Sequence, residues 1–310
     1  MPWSVRPVRS VQEYGEPVST VEVVNRREPF WRGFTSAVVS VWHSRVLLRS
    51  LIRKELSIRY RGSVLGILWT MIKPLVQLGV YGLVLGVFLG FGDQIPDFGF
   101  FMFCGLMIFG LFSEAVTLGT TSILWNAPLV KKVALRRELL PLSTTGVAIV
   151  NFFFQSVVLV AAFAITGNWP RLQDLPFVVP AVLIVVLLGL AAGMLLGALN
   201  VYVRDVPFIV DVGLLLLFWL TPILYGWWTV QETLANKGLP DWTFDLYMAN
   251  PLAAATVAFQ QGAWPGTPPQ EYFDSVFAVR LWGTLAVCAV LVWLAQRIFN
   301  RLQENFAAEL

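Results

Sequence analysis

From residue 64 to residue 90 the chain reads VLGILWTMIKPLVQLGVYGLVLGVFLG, an apolar run interrupted by one charge, Lys73. At ~1.5 Å per residue, a helix of this length crosses a hydrocarbon layer of roughly 30 Å. Five further runs have comparable length and apolarity, at 98–118, 139–165, 177–202, 208–225 and 277–298. The pattern therefore predicts an all-α integral membrane protein with six transmembrane helices. The fifth run is the shortest and carries Asp211, and the second carries Glu114. Residues 226–276 form one long connection. It contains GWWTVQETL and MANPLAAATVAFQQGAW, apolar pieces too short to span, which predicts short or re-entrant helices packed in protein at membrane depth.

Residues 45–62 have a different period. Leu48, Ile52, Leu56 and Tyr60 form one four-residue row with Leu47 and Leu51 beside it, while Arg45, Arg49 and Arg53 form another. This is the pattern of a basic amphipathic helix lying in the membrane interface. Anchoring to headgroups explains it, and so does gating the lateral entry of a lipid-linked substrate. The expected division is a tail at 1–44, the interfacial helix at 45–62 and a six-helix membrane domain at 63–310. The polar start of the chain gives no sign of a cleavable leader.

Composition agrees with the pattern. Hydrophobic residues make up 57% and charged residues 13%, against about 25% charged in soluble domains. Charge distribution orients the spans. Eleven Lys and Arg precede the first, Lys131, Lys132, Arg136 and Arg137 fill the second-to-third loop, and Arg204, Arg297 and Arg301 follow on the same side. The alternate loops carry Asp93, Asp97, Asp174, Glu232, Asp241, Asp245, Glu271 and Asp274. The positive-inside rule places both termini in the cytoplasm.

Candidate chemistry is sparse. The two cysteines lie in apolar runs, and His43 is the sole histidine, so neither a disulfide framework nor a metal site is expected. No phosphate-binding loop of the form GxxxxGK[ST] occurs, so any ATP hydrolysis belongs to another chain. Nothing points to nucleic acid as a partner. Glycines at 82, 86, 90 and at 189, 193, 197 allow close helix approach, or flexing. Lys73 either snorkels to the interface, pairs with Glu114 or Asp211, or meets an anionic substrate. The basic residues Arg53, Lys54, Arg59 and Arg61, with Lys73, are candidates for steering an anionic, lipid-linked substrate at the entrance. Most aromatics suit lipid-facing or core positions. Tyr81, Phe88, Phe218, Trp219 and Tyr225 are candidates for lining a channel with flat rings, which bind the C–H faces of sugars without a directional grip. The loop NAPLVKKVALRRELLP at 126–141 mixes apolar and basic residues in the manner of a short helix docking into another protein.

Several segments match one family in order and spacing: IRYRGSVLGILW at 58–69, KPL at 73–75, NAPLVKKV at 126–133, RELLPL at 137–142, VNF at 150–152, VRDV at 203–206, LTPILY at 220–225 and NPL at 250–252. In these the chain resembles the permease subunits of type-2 ABC exporters for bacterial cell-surface polysaccharides (O-antigen, capsule and teichoic acid). The tail and the abundance of Trp resemble actinobacterial members, among which an exported lipid-linked galactan is the implied cargo. The chain departs from the family at Leu135 and Arg136, where an aromatic and a proline are usual, and at Thr221, where serine is usual. The resemblance implies a homodimeric channel lined by the first and fifth spans, with 226–276 as an outer gate. It implies two separate ATPase subunits holding ATP and Mg, docked through Asn126, Leu129, Lys131, Lys132, Arg137, Glu138, Arg204 and Asp205. It implies an undecaprenyl- or decaprenyl-diphosphate-linked polysaccharide received at the interfacial helix, with no cofactor in this chain. The rival readings are an ABC permease for a drug or small lipid, and a membrane-embedded glycosyl- or acyltransferase. The external acids have no catalytic spacing to favour the latter.

Overall fold

The structure is a computed structural model that describes residues 43–132, 136–266 and 275–310. The tail expected at 1–44 falls almost wholly outside the described residues, as do Leu135 of the basic loop and the acids Glu271 and Asp274. The described residues contain helices and no strand.

Helix α1 (Arg45–Arg59) is followed by a 3-10 turn at Gly66–Leu68 and by α2 (Trp69–Tyr81), which continues as a π-helical stretch over Gly82–Phe88. A short α3 (Phe91–Gln94) leads to α4 (Phe98–Trp125), then α5 (Ala127–Lys132) and α6 (Leu139–Thr166). After a 3-10 turn at Leu175–Phe177 come α7 (Val178–Tyr202) and α8 (Val206–Trp219). Three short helices fill the long connection: α9 (Trp227–Asn236), α10 (Trp242–Met248) and α11 (Pro251–Ala263). The chain closes with α12 (Ser275–Leu302) and α13 (Phe306–Glu309).

Five segments are long and apolar enough to cross a membrane: Gly66–Phe88, α4, α6, Leu175–Tyr202 and Phe277–Asn305. The predicted fifth span is shorter than expected. Its helix, α8, has 14 residues, or ~21 Å, and stops at Trp219 rather than Tyr225. Pro222 disfavours helical backbone at Thr221, and the Thr221 hydroxyl donates back to the Leu217 carbonyl at 2.7 Å. The predicted second span is longer than expected and reaches Trp125. Thr120 and Ser122 spend their hydroxyls on the Val116 and Gly119 carbonyls of the same helix, which hides their polarity.

The centre of the bundle is the seam between α4 and α7. Hydrophobicity alone does not draw helices together in lipid, so close backbone approach has to supply the packing. The glycine row on α7 does this. A Cβ at Gly189 would meet Ala115 Cβ at 2.9 Å, one at Gly193 would meet the Ala115 carbonyl oxygen at 3.1 Å, and one at Gly197 would meet the Gly119 carbonyl oxygen at 2.6 Å. The row at 82, 86 and 90 is looser, since a Cβ at Gly82 would lie 3.8 Å from Gly99 Cα. Helices α6 and α12 flank the seam, and α11 wedges between α4 and α7. Its start follows from NPL: Asn250 accepts the Leu252 N–H at 3.0 Å and Pro251 occupies the first turn. Trp264, at its end, donates to the Pro96 carbonyl at 2.9 Å.

Charge separates the two ends of the bundle. One end carries α1, α5, the α7–α8 turn and α13, with the basic residues that the sequence grouped together. The other end carries α3, α9 and α10. Helices α2 and α8 each pack on α4 but leave long apolar faces uncovered, including Val80, Phe88, Phe208, Val212 and Leu216.

Candidate functional site

The basic end is organised by α1. Its apolar row turns toward protein: Leu51 is buried, Leu48, Ile52 and Leu56 are half-buried, and α1 packs on α6 where Gly146 makes room for Ile52. Leu47, expected beside this row, is exposed, as are Arg49 and Arg53. Two of the basic residues are held by side chains elsewhere in the fold. Lys54 Nζ donates to Asn126 Oδ1 at 2.7 Å, and the Asn126 amide nitrogen donates to the Ser122 carbonyl at 2.9 Å and to Glu55 Oε1 at 3.4 Å. This clamp ties α1 to the corner where α4 ends and α5 begins.

Arg59 Nη1 donates to Glu114 Oε1, which also accepts the Asn151 amide at 2.6 Å. Burial alone disfavours the Arg59 charge, but the Glu114 carboxylate together with Tyr60 more than offsets it, so the guanidinium titrates above its ordinary range. The sequence offered Glu114 or Asp211 as partners for Lys73. The structure gives Glu114 to Arg59, and Lys73 makes none of the ion pairs found among the described residues. Lys73 does line the same cavity. This opening of about 700 Å³ is walled by Arg59 and Tyr60 from the end of α1, by Trp69, Lys73 and Gln77 around α2, by Glu114 on α4, and by Asn151 and Gln155 on α6. Its size falls within the range of small-molecule sites.

The structure thus brings Arg59 and Lys73 into one cavity, puts Lys54 in a separate clamp, and leaves Arg53 and Arg61 in solvent. The aromatic candidates divide. Tyr81, Phe88 and Trp219 lie on the uncovered faces of the α2 segment and α8. Phe218 instead packs edge-on against Phe109, with ring centres 5.3 Å apart, and the Tyr225 hydroxyl donates to the Trp219 carbonyl at 2.7 Å. The docking candidates divide as well. Lys131, Lys132, Arg204 and Asp205 are exposed, Leu129 is half-buried and Asn126 is buried in its clamp. Arg137 and Glu138 turn inward. Arg137 Nη1 donates to the Gln303 carbonyl and stacks over the Phe306 ring at 5.7 Å, and Gln296 Nε2 donates to Glu138 Oε2 at 3.4 Å. Burial pushes the Glu138 carboxyl above its ordinary range, and Gln296, Arg136, Asn300 and Arg297 offset only part of that.

Sequence reading assigned no role to Gln77, Asn151 or Gln155. The signal was present as two polar pairs at helical spacing inside apolar spans, Lys73 with Gln77 and Asn151 with Gln155, each i and i+4 on one face. The cavity forms where those two faces meet Glu114.

A bundle of long apolar helices around a glycine seam, with a basic amphipathic helix docked at one end, defines a multi-pass membrane protein. The profile of the family described as "ABC-2 type transporter" matches residues 46–264. The chain belongs to this family. It is 34% identical over 87% of its length to the "O-antigen export system permease protein RfbA" of Myxococcus xanthus, of which it covers 97%. It is 27% identical over 84% of its length to a Klebsiella pneumoniae protein of the same name, of which it covers 93%.

Proposed function

We propose that this chain is the transmembrane subunit of an ATP-driven exporter that moves a lipid-linked polysaccharide, O-antigen- or galactan-like, across the inner membrane. The observation that carries the reading is its near end-to-end similarity to an O-antigen export permease. The subunit works as a homodimer, and its own uncovered α2 and α8 faces support that. Helix α8 acts as the fifth of six spans, shortened and completed in depth by the residues after Trp219. Both termini are cytoplasmic, so the basic end faces the cytosol and α9–α11 form the outer gate. Two copies of a separate ATPase subunit, with ATP and Mg, dock beneath Lys131, Lys132, Leu129, Arg204 and Asp205. The clamp of Lys54 on Asn126 gives that docking site a direct mechanical link to α1. Arg53 and Arg61, both exposed, attract the diphosphate of an undecaprenyl- or decaprenyl-linked glycan from the inner leaflet.

Deleting the gene tests this. The expected result is loss of surface polysaccharide with lipid-linked glycan accumulating on the cytoplasmic face, restored by the wild-type chain. Normal surface glycan in the deletion strain, or ATPase stimulation of the reconstituted complex by small amphiphiles and not by lipid-linked glycan, would refute it.

A further inference from the structure

We propose that the cavity walled by Arg59, Glu114 and Asn151 is a sugar subsite, which takes an uncharged, hydroxyl-bearing ring while the phosphate of the same ligand stays outside at Lys73. The inference rests on the export reading above and specifies what the cavity recognises.

The wall holds an acceptor that no donor of the fold reaches. Asn151 is 5% exposed, and its Oδ1 is buried with no hydrogen-bond partner. Its amide nitrogen is committed to Glu114, which fixes the orientation and leaves the oxygen as the unused atom. Beside it stands the Glu114 carboxylate, an acceptor only. A ligand group that reaches this wall gains by donating. Hydroxyls and acetamido N–H groups donate; phosphates do not.

Charge leads to the same choice. The Arg59 guanidinium is already neutralised by Glu114, so this part of the cavity offers a phosphate no net attraction and places a carboxylate next to it. Lys73 is exposed and makes no ion pair among the described residues. The cation available to a phosphate is therefore at the rim, and the acceptors are inside. Gln77 and Gln155 supply amides able to both give and take hydrogen bonds. Trp69 supplies a flat apolar face at the opening. Amides, a carboxylate and an aromatic ring around about 700 Å³ suit roughly one or two sugar rings.

Two probes separate the parts: undecaprenyl diphosphate carrying one N-acetylhexosamine, and bare undecaprenyl diphosphate. Each is titrated into the purified permease–ATPase complex in nanodiscs. The wild type is expected to bind the glycosylated lipid about tenfold tighter, the ratio that ~1.4 kcal/mol gives. Asn151→Leu should bring the glycosylated lipid down to the affinity of the bare one and leave the bare lipid unchanged. Lys73→Gln should weaken both by the same factor. If Asn151→Leu does not assemble, Gln155→Ala on the half-buried wall serves, with the same selective loss expected at about threefold, under ~1 kcal/mol. Equal affinity of the wild type for both probes, or equal weakening of both by the wall variants, means the cavity holds water only, and the subsite is refuted while the export reading stands. Binding of neither probe, with no export from reconstituted vesicles, would overturn the export reading and the subsite together.

Discussion

Helix α4 and the segment Gly66–Phe88 look alike as sequence, yet they occupy opposite situations in the fold. Both are apolar and long enough to span. In α4, 67% of the apolar window is enclosed by protein; in Gly66–Phe88 the share is 6%. Helix α8 resembles the second case, with Phe208, Val212, Leu215 and Leu216 all exposed. Hydropathy reports transfer out of water and is blind to whether lipid, protein or a second copy receives the surface. The difference lies in the neighbours. Helix α4 meets small residues on α7, so backbones touch; the outer faces of α2 and α8 meet nothing among the described residues.

The comparison can be broken most severely at the seam. A Cβ at Gly119 would lie 2.6 Å from the Gly193 backbone, and neither helix can yield without displacing the other. Gly119→Leu is expected to cost about 3 kcal/mol or more, seen as loss of folded protein in a detergent melting curve. A Cβ at Gly110 would meet nothing within 4 Å, so Gly110→Leu should leave the melting temperature unchanged. Similar losses at both sites would mean that the seam is not the centre of the fold.

The uncovered faces can be sharpened by cross-linking. Single cysteines at Val212, Leu216 or Trp219 should give covalent dimers with a short bifunctional thiol reagent in membranes. Cys104 and Cys288 are enclosed at 0% exposure and contribute no background. A cysteine at Val185, buried on α7, should give none. Dimers from none of the three would leave lipid as the partner of the α8 face.

The smallest effect belongs to Glu138. Its raised pKa means that the folded state holds the proton more firmly than the unfolded chain. Stability therefore falls as pH rises from the ordinary value near 4.5 through the raised one, and the cost is fully present above it. Glu138→Gln should raise stability at pH 8 by about 0.5–1 kcal/mol, an advantage that shrinks as the pH is lowered toward 4.5. A variant less stable than wild type at every pH would show that the charged form is needed for its contacts with Gln296 and its basic neighbours.

Much of the fold was legible in apolar run lengths. The limits of α6, α7 and α12 follow from them within a few residues. The misjudged ends have local causes. Thr120 and Ser122 conceal their polarity inside α4, and Pro222 ends α8 early. The site was less legible. Basic residues on α1 stood out, but charge alone does not say that Arg59 is held by Glu114 or that Lys54 is fastened to Asn126. Those pairings join residues 55 and 72 positions apart, which only the packing of α1 brings together. Arg137 misled for the same reason, since its partners lie 166 residues downstream.

That last contact has a practical consequence. The Phe306 ring has 0% exposure, pinned by Arg137 from one side and Phe299 from another, while the Tyr202 hydroxyl anchors the Leu302 carbonyl at 2.6 Å. The final residues thus serve as a doorstop beneath the base of α6 and α7. Trimming the chain at residue 302, or fusing a bulky affinity handle to its end, would loosen the floor on which the basic loop stands.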